Sequence, residues 1–152
     1  MIKKIIFSTL LTLLCFELYC SAEEQSINVL SNELKINKEL RTSHFSGEVY
    51  AYDQNLEIWS DELIITLEEI EDKIKDVLAK GNVKIIRMNT EIYGNKAQYF
   101  LKDNSVIVTK NVVVIENGNK IQGEELVLDL ETSLSIMKSG NSNRVEATII
   151  KE

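Results

Sequence analysis

Hydrophobic and polar residues alternate along most of this chain, and short polar turns interrupt the alternation often. Between Ile27 and Ile150 the sequence is rich in Ile, Val, Leu, Thr and Tyr and contains no proline. These residues favour strands, and a period of two is typical of a sheet with one buried face. The turns are polar, as at Asp53-Gln54-Asn55, and Asn117-Gly118 is typical of a tight hairpin. The pattern predicts an all-β roll or sandwich of short strands.

A six-residue pattern recurs four times in the chain. Its copies begin 29, 34 and 29 residues apart, at Ser31, Ser60, Gly94 and Gly123. A companion strand begins 16, 21 and 16 residues after the first three copies, at Gly47, Gly81 and Lys110. Regular spacing of this size indicates stacked units. We therefore predict a stack of two-strand units with a corner between the strands, which forms a trough or slot.

Alignment of the copies places apolar residues in columns on one face of the predicted strands. The first-strand columns contain Val29, Ile58, Ile92 and Ile121; Leu34, Leu63, Ala97 and Leu126; Ile36, Ile65, Tyr99 and Leu128; and Leu67, Leu101 and Leu130. The companion columns contain Val49, Val83 and Val112, and Ala51, Ile85 and Val114. Two interpretations stand: an ordinary packed core, or the aliphatic lining of a slot.

One segment departs from the strand pattern, from Leu67 to Ala79. It is strongly charged and carries Ile70, Ile74, Val77 and Leu78 at helical spacing, so taken alone it resembles a short amphipathic helix. It also holds the five extra residues of the 34-residue spacing. The repeat therefore favours a long charged hairpin between two strands.

The first 22 residues have the layout of a cleavable secretory signal. Lys3 and Lys4 precede an apolar run that ends at Phe16, and small residues up to Ala22 precede an acidic pair. We predict cleavage after Ala22, which leaves residues 23–152 as one exported domain. The run of about a dozen apolar residues is shorter than the ~20 that cross a bilayer, although a retained anchor is the alternative.

Composition limits the functions that are open to the mature chain. Removal of the signal takes away both cysteines and leaves 15 basic and 23 acidic residues, a formal charge of −8. Without thiols the mature domain has neither disulfides nor a thiolate metal site. An acidic chain is a poor partner for nucleic acid, because phosphate neutralisation needs clustered Lys and Arg.

The chain offers few candidates for catalysis, so we do not expect an enzyme. His44 lies beside Ser43, Ser46 and Glu48, but a surface histidine at a strand start is the simpler interpretation. The acidic run at 68–72 is better explained as a solvated charge run than as a cation site, and we expect neither metal nor cofactor. Trp59 and Tyr93 occupy equivalent outward-leaning positions and form either a lip at the slot mouth or a cap on the sheet.

The motifs Ser-Asp-Glu-Leu, Gly-Asn-Lys-Ala and Gly-Glu-Glu-Leu, in register with Gly-Glu-Val and Gly-Asn-Val, resemble the OstA-like family and its LptA-type members. The resemblance covers about Ile27 to Ile150. It implies an antiparallel β-jellyroll folded into an open V, whose apolar slot holds the acyl chains of lipopolysaccharide. The chain departs from the family pattern at Lys110, where glycine is expected, and in the charged hairpin.

The resemblance also implies a function and partners. The expected role is a periplasmic bridge that carries lipopolysaccharide from the inner to the outer membrane. Expected partners are the inner-membrane transporter subunits, the outer-membrane translocon and further copies joined head to tail through edge strands. With the columns, the resemblance predicts these lipid-binding residues: Ile27, Val29, Leu34, Ile36, Val49, Ile58, Leu63, Ile65, Val83, Ile85, Ile92, Tyr99, Leu101, Leu126 and Leu128.

Two other functional classes stay open from the sequence. A membrane-tethered docking subunit of the same transport system, of the LptC type, would keep the fold and retain the N-terminal segment. A β-solenoid adhesin or polysaccharide-binding module would place aromatic and amide side chains, rather than aliphatic ones, along its working face.

Overall fold

The computed structural model describes residues 26–54, 56–70, 73–141 and 144–151. The predicted signal at 1–22 lies outside the described residues. Within the described ranges the chain forms ten strands and no helix long and apolar enough to cross a membrane. The strands are β1 (Asn28–Leu30), β2 (Glu33–Asn37), β3 (Thr42–Tyr52), β4 (Glu57–Leu67), β5 (Ile74–Arg87), β6 (Thr90–Phe100), β7 (Ser105–Glu116), β8 (Asn119–Asp129), β9 (Ser135–Lys138) and β10 (Glu146–Thr148).

All strand pairs are antiparallel, and β3 to β8 follow one another in chain order across a single sheet. The two short strands at each end share one long partner: β1 and β2 pair with β3, and β9 and β10 pair with β8. The all-β, antiparallel prediction is confirmed.

Each pairing of the long strands shifts register near its middle, which divides the sheet into two halves. Half-sheet A comprises β2, β9 and the strand segments 42–46, 62–67, 74–80, 96–100, 105–109 and 125–129. Half-sheet B comprises β1, β10 and the segments 49–52, 57–60, 83–87, 90–94, 112–116 and 119–123. Buried residues of both halves form one apolar cluster, so the sheet is folded at the shifts with its inner faces together.

The corner repeats because the same backbone conformation occurs in β3, β5 and β7. Gly47 and Gly81 have positive φ angles of 79° and 74°, in the region that favours glycine. A Cβ atom at Gly81 would lie 2.2 Å from a carboxylate oxygen of Asp61, the second residue of the repeated motif. Asp61 of the six-residue motif therefore packs over the glycine of the next strand. This contact explains why the motif and the corner glycine recur in register.

Lys110 adopts this left-handed conformation although it is not glycine. Its φ angle is 69°, and the following Asn111 has 54°, close to the values at the other two corners. The predicted departure from the glycine pattern therefore leaves the corner geometry unchanged. A non-glycine residue in this region costs roughly 1–2 kcal/mol.

The charged segment forms a hairpin, as the repeat predicts, and the helical alternative is wrong. Strand β4 continues to Leu67, β5 begins at Ile74, and the N–H of Glu68 donates to the carbonyl oxygen of Lys73 at 2.8 Å. Ile70 lies at the tip and is 94% exposed. The apolar residues at helical spacing therefore do not form the buried face of a helix.

The register of the strands confirms four of the six predicted columns. The column of Val49, Val83 and Val112 lies at the register shifts, and Leu101 and Leu130 follow the last residues of β6 and β8, so these two columns are not rows of paired residues. Three rows of paired residues run across the inner faces. One row of half-sheet A contains Leu34, Phe45, Leu63, Ala79, Ala97, Val108, Leu126 and Met137, and the next contains Ile36, Ser43, Ile65, Val77, Tyr99, Val106, Leu128 and Ser135. The row of half-sheet B contains Val29, Ala51, Ile58, Ile85, Ile92, Val114, Ile121 and Ala147.

Candidate functional site

The candidate site is the space between the two half-sheets, and its predicted lining residues differ widely in burial. In the middle of the sheet they are part of the core; toward the mouth and the edges they are half-buried. The buried ones are Val49, Leu63, Val83, Ile85, Ile92 and Leu126. The half-buried ones are Ile27, Val29, Ile58, Ile65, Tyr99, Leu101 and Leu128. Leu34 and Ile36, in the edge strand β2, are 49% and 65% exposed.

The middle of the slot is closed by packed side chains. A central cavity of about 20 Å³ lies between Ile58, Ile85 and Ile92 of half-sheet B and Val77, Ala97 and Val106 of half-sheet A. This is room for about one water molecule. The core and slot interpretations therefore both apply, because the same aliphatic rows pack against each other here.

The turn between β3 and β4 covers the mouth of this central part. Asp53 and Leu56 close the turn: the N–H of Leu56 donates to Asp53 Oδ1 at 2.8 Å, and the N–H of Asp53 donates to the Leu56 carbonyl at 3.0 Å. Leu56 lines the central cavity opposite Tyr99. Burial raises the pKa of the Tyr99 phenol, and the nearby charge of Asp53 raises it further. The two half-sheets thus meet at the mouth as well as at the corner.

The slot is open toward the C-terminal edge. A C-terminal cavity of about 320 Å³ has apolar walls from both half-sheets, and its volume lies in the range of small-molecule sites. The walls include Ile92, Val114, Ile121, Leu126, Leu128 and Met137, and the polar rim includes Arg87, Thr90, Glu116, Ser133 and Ser135. An apolar chain of modest length can lie here without displacing the core.

A third space lies at the N-terminal end of the inner face. This N-terminal cavity of about 250 Å³ is lined by Ile36, Leu67 and the polar residues between β2 and β3, including Lys38 and Arg41. It adjoins the exposed inner residues of β2. The inner face therefore reaches solvent at both ends of the stack, while its middle is filled.

Trp59 and Tyr93 lie on the outer face, so of the two alternatives, a lip at the slot mouth or a cap on the sheet, the structure favours the cap. Trp59 alternates with Ile58 and Ser60, which face inward, and its ring stacks on Tyr50 with centroids 4.9 Å apart. The Lys84 ammonium lies 5.5 Å from the Trp59 ring centroid and 5.6 Å from that of Tyr93. These rings cap the outside of half-sheet B.

The candidates for catalysis form ordinary surface contacts. His44 Nε2 lies 3.0 Å from Glu62 Oε2 on the outer face, and Ser46 Oγ donates to Glu33 Oε2 at 3.4 Å. The described residues contain no group of three or more His, Cys, Asp or Glu placed to hold a metal ion. Part of the acidic run, residues 71–72, lies outside the described residues.

Arg87 is a slot residue that the sequence analysis missed. It is the last residue of β5, is half-buried, and lines both the central and the C-terminal cavities. The signal was present in the alternation, since Ile85 faces inward and the position two residues later shares its face.

Comparison with known proteins decides the family. Residues 28–133 match the family model described as "LptA/(LptD N-terminal domain) LPS transport protein". The chain belongs to this family. Family membership confirms the resemblance drawn from the repeated motifs and covers most of the residues that form the two half-sheets.

Two relatives agree with this assignment. The chain is 26% identical over 135 residues to an uncharacterised protein of Rickettsia prowazekii (strain Madrid E), covering 86% of this chain and 90% of that protein. The crystal structure of LptH from Pseudomonas aeruginosa superposes with a TM-score of 0.75 at 18% identity, covering 84% of this chain and 97% of that one. LptH is described as the LptA-homologous periplasmic component of the lipopolysaccharide transport device. The superposition confirms the LptA-like β-jellyroll fold.

Proposed function

We propose that this chain is a periplasmic bridge protein that carries lipopolysaccharide between the inner and outer membranes, with the acyl chains held between the half-sheets. The observation that carries this proposal is the continuous apolar inner face, which reaches solvent at both edges and opens into the C-terminal cavity. In this proposal residues 1–22 are the cleaved export signal. The periplasmic location follows the description of LptH.

Aliphatic walls are sufficient to hold such a ligand. Each methylene that moves from water to an apolar surface contributes about 0.8 kcal/mol, so a lipid with several acyl chains binds strongly without specific contacts. The 320 Å³ of the C-terminal cavity accommodate only part of such a lipid. Fuller insertion requires the half-sheets to separate and expose the residues that now pack in the centre.

The sheet edges support end-to-end assembly. In the described chain β2 pairs only with β3, and β9 pairs only with β8, so each leaves one side for a neighbour. The exposed apolar residues Leu34 and Ile36 lie on one edge, and Ile136 lies on the other. Contact between two different edges is heterologous and extends into a filament. We propose the same edges for docking to related domains of the inner- and outer-membrane partners.

Photo-crosslinking tests the proposed function. A photo-reactive amino acid is placed at Tyr99, Leu101 or Leu128 on the inner face, and at Trp59 on the outer face as the matched control. In cells that make lipopolysaccharide we expect lipid adducts at the inner positions and none at Trp59. Absence of adducts at all three inner positions would contradict the proposal, as would adducts of equal yield at Trp59.

A further inference from the structure

Arg87 places a positive charge at the boundary between the two inner cavities. Of the residues that line the central cavity, which all lie in the described part of the chain, Arg87 alone is charged. It also lines the C-terminal cavity, beside the apolar wall formed by Ile92 and Leu128. A basic side chain therefore marks the position where the closed part of the slot becomes the open part.

The guanidinium of Arg87 has no ion-pair or hydrogen-bond partner among the residues that the structure describes. Other basic residues of the sheet have one: Lys84 lies 3.7 Å from Glu91, and Lys138 lies 2.6 Å from Glu125. The full chain has 24 acidic residues for 17 basic ones, so carboxylates are not scarce. The guanidinium is thus left without the counter-charge that the rest of the surface supplies.

The one carboxylate on the rim of the C-terminal cavity is hydrogen-bonded to a threonine and not to Arg87. Glu116 is exposed at the hairpin tip between β7 and β8, and its Oε1 accepts a hydrogen bond from Thr90 Oγ1 at 3.3 Å. It contributes a negative charge near the rim, which opposes an anionic ligand. Neutralising Glu116 should therefore strengthen such binding, the opposite of neutralising Arg87.

A cation held against apolar side chains is unfavourable unless an anion pairs with it. A guanidinium binds phosphate oxygens with two parallel hydrogen bonds, which a lysine ammonium does not reproduce. The C-terminal cavity offers both parts of such a site, an aliphatic wall and a guanidinium at its inner rim. This arrangement fits an amphiphile that carries phosphate close to its acyl chains.

We propose that Arg87 binds a phosphate group of the lipid whose acyl chain occupies the C-terminal cavity, and that it thereby selects phosphorylated lipid. This inference rests on the proposed function, because it assigns the orientation of the lipid in the same slot. The acyl chain lies along Ile92, Leu126 and Leu128, and the phosphate lies at the hairpin tip between β5 and β6. Free inorganic phosphate lacks the apolar contribution and should not compete.

The experiment compares two probes, bisphosphorylated lipid A and the same lipid after enzymatic removal of its phosphates. Their affinities for the purified chain 23–152 are measured with wild type, Arg87→Gln and Arg87→Lys. Arg144→Gln is the matched control, because Arg144 is exposed and lines a different cavity near β10. The thermal midpoint of each variant verifies that it is folded.

We expect Arg87→Gln to weaken binding of the phosphorylated lipid about tenfold, the size of one charge-assisted contact, and to leave the dephosphorylated lipid unchanged. Arg87→Lys should restore part of the loss, Arg144→Gln should have no effect, and Glu116→Gln should strengthen binding of the phosphorylated lipid. Millimolar inorganic phosphate should not displace either probe.

Two results would overturn the inference while leaving the proposed function intact. One is an equal loss for both probes in Arg87→Gln, which would make Arg87 part of the apolar packing. The other is unchanged binding of both probes in a folded Arg87→Gln variant. If wild type binds neither probe, the proposed function and the inference fail together.

Discussion

At the level of single residues, the corner of the sheet depends on a few backbone positions. Gly47 and Gly81 take the left-handed conformation that the fold requires, and Lys110 is held in the same conformation at a cost. The sequence pattern identified these three positions as equivalent. It did not reveal their φ angles, because the register shift arises from pairing with the neighbouring strand.

Lys110→Gly should therefore stabilise the chain by about 1 kcal/mol, since glycine adopts this conformation without a Cβ clash. The free energy of unfolding from urea titration measures the effect. Lys110→Ala is the control, because alanine also removes the lysine side chain but retains the Cβ atom. A glycine variant no more stable than the alanine variant would show that backbone strain at this corner is negligible.

At the level of the strands, the repeat determines more than local propensity does. The segment from 67 to 79 has helical spacing, yet it forms the end of β4 and the start of β5 because β3 and β6 supply pairing partners on both sides. Alternation was enough to place the inner rows correctly. The same rule places Trp59 on the outer face, where its ring stacks on Tyr50 and caps the sheet.

The edge strands should control assembly. Leu34→Asp places a charge on the inner face of the edge strand β2, where a neighbouring chain would bury it, and should shift the purified protein toward monomer. Sedimentation velocity over a concentration series measures the association. Ile70→Asp is the matched control, because Ile70 is 94% exposed at the hairpin tip between β4 and β5, which are not edge strands. Equal association of the two variants would exclude β2 from the contact.

At the level of the whole molecule, the same residues form the packed core and the proposed ligand site. The rows predicted to bind lipid also pack against each other, so the centre is closed and the C-terminal end is open. The sequence predicted which residues face inward. It could not predict closure, because the distance between the half-sheets depends on side chains far apart in the chain, including Leu56 and Tyr99.

The separation of the half-sheets is the most direct test of the account. Spin labels at Gln54 and Lys102, which are exposed in turns on opposite sides of the mouth, report the distance across it. The only two cysteines, Cys15 and Cys20, are absent from the chain 23–152, so labels at introduced cysteines are specific. We predict a longer distance when lipid A is added and no change with inorganic phosphate. Bound lipid A with an unchanged distance between the labels would contradict entry of acyl chains between the half-sheets.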